Sequence, residues 1–320
     1  AFAEREGGQA GPYLDLVNYL ADGIRQDYPE VCIDTLAYFQ TQQPPKTIRA
    51  RDNVIVRLCD TGSNFARPIT DPQNKAFRDL VLAWAKVARH LRIWDYAVTY
   101  GPYSVLPFAS AWTYPAAYRF YAEHNVEGVF TEHEWGIVGD MRDLKLWMQM
   151  KFLEDPYRDY EALLQDFTNG YYGPAGPAIR EYLKALQAAQ DKAGSFIGMG
   201  GAPGHFRHLD VPFLVKAHAL FDRAEKAVGD DPVLLRRVRH ARLSLDRATL
   251  VLYRSLARSW EGPGPFPLDR EAIARRERDT WFEQIDMRTH PERRAAEKAS
   301  AEREISALLA ARINVPLPER

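Results

Sequence analysis

Apolar residues recur along this chain with two periods, and the changes between them lay out its elements. Over residues 12–27, Leu14, Val17, Leu20, Ala21 and Ile24 fall at helical spacing. Asp27-Tyr28-Pro29 ends that helix, because the residue before a proline is pushed out of the helical region. Val31 to Phe39 reads as a strand. Gln40 to Asn53, with Pro44-Pro45, reads as an extended loop. The second strand, Val54-Ile55-Val56-Arg57-Leu58-Cys59, is apolar almost throughout, as a strand covered on both faces must be. Asp71-Pro72 opens a helix that places Ala76, Leu80, Trp84 and Val87 on one face. Leu91 to Val98 is predicted as a third strand, residues 112–124 as a helix, and Val126 to Glu132 as a short fourth strand.

Alternation of this kind predicts a parallel sheet with right-handed crossovers. Four strands cannot close a barrel, and a (β/α)8 barrel takes about 250 residues. The expected fold class is therefore α/β: the C-terminal half of a (β/α)8 TIM-type barrel, with a small open sheet as the alternative. The abrupt start of the chain favours the half-barrel. From Asp140 onward every segment has helical character, with helices at 140–153, 158–170, 177–193, 210–227, 231–259, 269–285 and 291–311. Gly194 to Gly204, with Gly198, Gly200, Gly201 and Pro203 inside it, reads as a flexible boundary. The expected division is a partial barrel over 1–193 and an all-α region over 194–320.

Charge narrows the list of partners. The 320 residues carry 42 basic and 43 acidic side chains, a net charge of −1. No surplus draws the chain to nucleic acid or to an anionic membrane surface, and no apolar run approaches the roughly 18 residues of a spanning helix. The basic run Arg236-Arg237-Val238-Arg239-His240-Ala241-Arg242 is expected to be a solvated helix face. Cys32 and Cys59 each sit in or at the end of an apolar run and are expected to be buried free thiols. No Gly-x-Gly-x-x-Gly follows a strand, and there is no Walker loop and no Gly-x-Ser-x-Gly elbow, so no cofactor is expected. His133-Glu134 alone does not make a metal site, and no metal is expected.

In parallel barrels, chemistry sits at the carboxyl ends of the strands. There the sequence offers Tyr38 on the first strand, Asp60 after the second, Trp94-Asp95-Tyr96 on the third, and Glu132-His133-Glu134-Trp135 on the fourth. Glycosidases need such a set: two carboxylates about the scissile bond, and rings that stack on sugar faces. Asp95 and Glu132 are the expected catalytic carboxylates. Asp60 and Glu134 are expected to bind substrate, with Tyr38, Trp94, Tyr96 and Trp135 as walls. Each has a plainer reading. Asp60 equally caps its loop through backbone amides, and Asp95, mid-strand in an apolar run, needs a partner that Arg57 on the neighbouring strand would supply. Trp112 suits the core.

Certain stretches carry a family resemblance: Tyr28-Pro29-Glu30, Thr35-Leu36-Ala37-Tyr38, Pro44-Pro45, Asn53-Val54, Leu58-Cys59-Asp60, Trp94-Asp95-Tyr96, Gly128-Val129-Phe130, Lys151 to Pro156, and Asp166-Phe167 with Tyr171-Tyr172-Gly173. In this order and spacing they resemble a bacterial domain family of unknown function related to α-glucuronidase and β-hexosaminidase barrels, over about residues 10–185. The resemblance implies a glycoside hydrolase-like barrel, secreted or periplasmic, acting on polysaccharide that includes uronic or amino sugars. It also implies that a key acidic residue, and a Cys-containing segment, lie upstream of Ala1. The expected partners are a carbohydrate substrate and an N-terminal barrel half or a second copy of the chain. Two other classes stay open: a barrel that binds glycans without cleaving them, and an interaction protein that works through its helical tail.

Overall fold

The computed structural model describes residues 1–101, 104–133, 136–201 and 203–310. In chain order the elements are α1 (Phe2–Glu6), α2 (Ala10–Asp27), β1 (Ile33–Ala37), β2 (Val54–Cys59), α3 (Lys75–Trp84), β3 (His90–Ala97), α4 (Tyr114–Glu123) and β4 (Val126–His133). Helices α5 (Arg142–Glu154), α6 (Tyr160–Tyr172), α7 (Gly176–Ala193), α8 (Val211–Val228), α9 (Pro232–Arg258), α10 (Arg270–Arg288) and α11 (Pro291–Leu309) follow. The fold is α/β, a four-stranded parallel sheet succeeded by a helical C-terminal region.

The strands lie in the order β1-β2-β3-β4, and every neighbouring pair is parallel. Register sets the two faces, since side chains alternate along a strand and in-register neighbours share a side. Thr35, Val56 and Leu91 align across the first three strands, then Leu58, Ile93 and Val129. These positions on β2 and β3 are wholly buried, on the side where α2 packs on β1 and β2 and α4 packs on β4. The other face is far more polar. Arg57 bonds Asp34 at 2.6 Å, and Glu127 takes His90 at 2.8 Å and Arg92 at 3.0 Å.

Several boundaries differ from expectation for local reasons. β1 is five residues, not the nine from Val31 to Phe39. Thr41 Oγ1 accepts from the Tyr38 amide at 3.0 Å and donates to the Tyr38 and Leu36 carbonyls, which curls the chain into a turn at Phe39. Ahead of α3 comes a tight turn over Pro72–Asn74, capped by the Asp71 carboxylate on the Gln73 amide at 2.8 Å. The buried face of α3 is Phe77, Leu80, Val81 and Trp84, while Ala76 points to solvent. On α2, Leu14, Val17 and Ala21 are buried, but Leu20 and Ile24 are exposed. Cys59 is buried as expected, whereas Cys32 is exposed at the edge of the sheet.

The described residues form two compact units. One comprises Ala1–Val98, Ser110–His133 and Gln149–Arg158; the other comprises Thr99–Ala109, Glu134–Met148 and Asp159–Arg320. The glycine-rich segment 194–204 lies inside the second. In that unit successive helices from α6 to α11 pack on one another, and α9 runs between α8 and α10. The basic run on α9 is not a solvated face throughout. Arg242 is buried and bonds Asp222 and Glu225 at 2.7 Å each, and buried His240 meets the Ile137 carbonyl at 2.9 Å. Arg239 alone of that run is exposed. The acids that match the run come from several helices: Asp222 and Glu225 on α8 for Arg239 and Arg242, Glu283 on α10 for Arg236, and Asp143 on α5 for His240. Further along α9, Asp246 pairs with Arg276 at 2.6 Å, and Arg247 with Glu277 at 2.6 Å.

Candidate functional site

The carboxyl ends of β2, β3 and β4 carry two distinct groups of polar residues, one on each face of the sheet. On the polar face Trp94 aligns with Phe130, and their rings meet at 4.3 Å between centroids. Trp94 Nε1 donates to Glu132 Oε2 at 3.0 Å. The strand places this acid: Glu132 lies two residues beyond Phe130 on β4 and therefore on the same side. Phe130 is 43% exposed, so an apolar ring stands open beside a carboxylate held by an indole. Phe130 was missed in the sequence, although its place two residues before Glu132 was the signal for it.

Asp95 is not in this group. It follows Trp94 directly, so its side chain leaves the opposite face, where it aligns with Thr131. The expectation that Asp95 and Glu132 face one cleft as a catalytic pair is therefore not met. Arg57 is not the partner of Asp95 either, being engaged with Asp34 on the polar face.

Asp95 instead shares a small cavity with Asp60. The Asp60 amide extends the β2–β3 ladder to the Trp94 carbonyl at 3.0 Å, which sets Asp60 on the side of Leu58, toward α4. The cavity has a volume of about 40 Å³, and its walls include Ser63, Asn74, Ser110 and Tyr121. That is room for about three water molecules and too little for a sugar ring. The loop that closes it is pinned by Asn74, whose amide nitrogen donates to the carbonyls of Asn64, Arg67 and Pro68 and whose amide oxygen accepts from the Asn64 amide at 2.7 Å. Asp60 Oδ1 accepts from the Ser63 amide at 3.1 Å, the capping role that its sequence context allowed. Burial pushes the Asp60 carboxyl up to about 7, opposed first by the Ser63 hydroxyl and then by the Ser63 and Gly62 amides, with the charge of Asp95 adding to the rise. Burial likewise raises Asp95 to about 6, against the pull of the Tyr96 amide. The phenols of Tyr118 and Tyr121 on α4 are raised by burial and by the charge of Asp95.

The other residues singled out in the sequence are placed as follows. Tyr96 is buried, stacked on Phe65 at 6.4 Å, and borders the cavity, so it offers no open platform to a sugar. Tyr38 packs against Phe39 with ring centroids 4.1 Å apart. Glu134 and Trp135 lie outside the described residues. The Trp112 ring nitrogen is buried, in keeping with a core residue. Among the described residues no group of three or more His, Cys, Asp or Glu side chains is gathered to hold a metal, and no helix is long and apolar enough to cross a membrane.

With this geometry in hand, comparison with known proteins places the sheet. A family model described as a domain of unknown function, DUF4838, matches residues 1–184. The chain belongs to this family. The DUF4838 match takes in all four strands and both groups of polar residues, and it ends within α7. No curated protein and no solved structure matches the chain.

Proposed function

We propose that this DUF4838 chain is one wall of a glycoside hydrolase-like (β/α)8 barrel that acts on polysaccharide or oligosaccharide, with Glu132 as its acid. The observation that carries the reading is the Trp94–Glu132 hydrogen bond of 3.0 Å at the carboxyl end of the parallel sheet, beside the exposed ring of Phe130. Barrel enzymes keep their chemistry at that end. A carboxyl fixed by an indole donor next to an open aromatic surface is what sugar recognition and proton transfer to a glycosidic oxygen require. An all-parallel sheet in sequential order also suits a barrel wall, and among the described residues β1 and β4 each have one edge without a strand. We propose that further strands, from an N-terminal barrel half or a second copy, cover those edges and bring the second carboxylate. Uronic and amino sugars are the substrate class that this reading carries, and export from the cell is its setting.

A second reading, glycan binding without cleavage, is favoured by the position of Asp95. With Asp95 turned away, Glu132 is the carboxylate that the described residues place at this end of the polar face. Hydrolysis of a panel of aryl glycosides and uronides, run beside fluorescence titration with oligosaccharides, separates the two. The hydrolase reading expects turnover that falls by about 10²–10⁴-fold in Glu132→Gln while binding persists. Binding that depends on Trp94 without turnover by any form of the protein transfers the site to the second reading. Neither turnover nor saccharide binding refutes both.

A further inference from the structure

The turn after β1 presents a ring that the packing of the sheet does not use. Phe39 is 52% exposed, and its φ of 44° lies in the left-handed region, where a residue with a Cβ stays only when its surroundings hold it. Those surroundings are specific. The Gln42 amide donates to the Phe39 carbonyl at 3.1 Å. The Gln42 side chain donates to the Cys59 carbonyl at 2.7 Å and to the Thr61 hydroxyl at 3.1 Å, and Trp84 Nε1 donates to the Gln42 carbonyl at 2.7 Å. The turn is thereby braced on β2 and α3. Its ring is held in a fixed place beside Tyr38, and a fixed ring loses little freedom on binding.

Register carries this place across the sheet. Ala37, Leu58, Ile93 and Val129 are paired neighbours, so one residue further on Tyr38 falls level with Cys59, Trp94 and Phe130. Tyr38 is extended, with φ −140° and ψ 134°, so alternation runs through it and its side chain leaves on the side of Asp34 and Leu36, the polar face. Resting on the carbohydrate reading above, we propose that Tyr38-Phe39, Trp94 and Phe130 form one aromatic track across the carboxyl ends of the four strands, and that Phe39 makes the site select chains of about four sugars over single sugars. Three interstrand steps of about 4.8 Å, about 14 Å in all, separate β1 from β4, which one pyranose ring cannot bridge and three or four linked rings do. Cys59, the member of the row on β2, is buried and adds no ring. The track therefore has a platform at each side, Phe39 at β1 and the Trp94–Phe130 pair at β3 and β4 beside Glu132. Sugar faces lined with C–H bonds pack on such rings while their hydroxyls stay in water. Phe39 lies too far from Glu132 to touch the reacting bond, so its effect is on affinity for longer chains.

The test is calorimetric titration of the full chain with oligogalacturonides, chito-oligosaccharides and xylo-oligosaccharides of one to six units. The expected result is a series whose affinity rises with length to about four units and then levels off. Phe39→Ala lowers affinity for the tetramer of that series about tenfold and leaves that for the dimer within about twofold, whereas Phe130→Ala lowers both. Phe39→Gly, whose backbone suits the left-handed turn, gives the same loss with no fall in Tm. Affinity that stops rising at the dimer, or tetramer affinity unchanged in both Phe39 variants, overturns the track and leaves the carbohydrate reading standing on Trp94 and Glu132. A lower Tm accompanying the loss in Phe39→Gly makes Phe39 a structural residue and also overturns it. No binding of any saccharide overturns the track together with the carbohydrate reading.

Discussion

Asp60→Asn should make the protein more stable at alkaline pH and leave it nearly unchanged at acid pH. The carboxyl is buried and raised from the ordinary 3.8 to about 7. A raised acid binds protons more tightly in the folded state, so its contribution is fully present below about 3.8 and is lost as pH climbs through about 7. Between pH 4.5 and pH 8 the folded protein gives up this one proton, and over the roughly 2.5 pH units from 4.5 to about 7, at about 1.36 kcal/mol each, about 3 kcal/mol of stability is lost. Asn keeps the oxygen that accepts from the Ser63 amide but carries no charge, so the variant escapes this loss. The variant also no longer feels the charge of Asp95, which adds to the rise of Asp60. The assay is urea unfolding of both proteins across pH 4.5–8.5, comparing the difference between them so that other groups cancel. Parallel curves, with no widening gap in favour of Asp60→Asn as pH rises, would refute the placement of this carboxyl in a poorly solvated cavity.

Three further substitutions probe the frame. Leu58→Ala removes a wholly buried side chain from β2 and should cost about 2–5 kcal/mol by urea unfolding; a cost below about 1 kcal/mol would mean that the helix-covered face is loosely packed. Asp231→Ala removes the cap of α9, whose carboxylate accepts from the Val233 and Leu234 amides at 2.9 and 3.0 Å, and should lower stability by about 1 kcal/mol. Arg247→Met leaves Glu277 buried without the cation that pairs with it at 2.6 Å, and should cost about 3–5 kcal/mol at pH 8. Burial raises Glu277 to about 7 even with Arg247 beside it, and loss of Arg247 raises it further, so the cost should shrink as pH falls from 8 and the carboxyl takes a proton, which unfolding at pH 5.5 would show.

Local pattern was enough to specify the elements. The apolar runs at 54–59 and 91–98 became β2 and β3 because a strand with buried neighbours on both sides needs little else to define it. The C-terminal helices followed from spacing alone, and the acids at their starts, Asp159, Asp210, Asp231 and Asp269, each cap free amides. At β1 the pattern overreached. Val31 and Phe39 look like strand residues, but Thr41 captures the backbone and shortens the pairing.

The sequence by itself determined that acidic and aromatic residues gather at the ends of parallel strands, because that follows from where each strand stops. Which of them meet was decided only by the tertiary structure. Alternation within β3 and within β4 is visible in the chain, but the phase of one strand against the other is not. It is set by pairing, and a one-residue shift carries every side chain to the opposite face. The register that aligns Asp95 with Thr131 sends Asp95 inward to Asp60, and leaves Glu132 outside with Trp94. The same holds on α9, where Arg242, part of a run that reads as a solvated face, is buried because α8 packs over it and brings Asp222 and Glu225 to it.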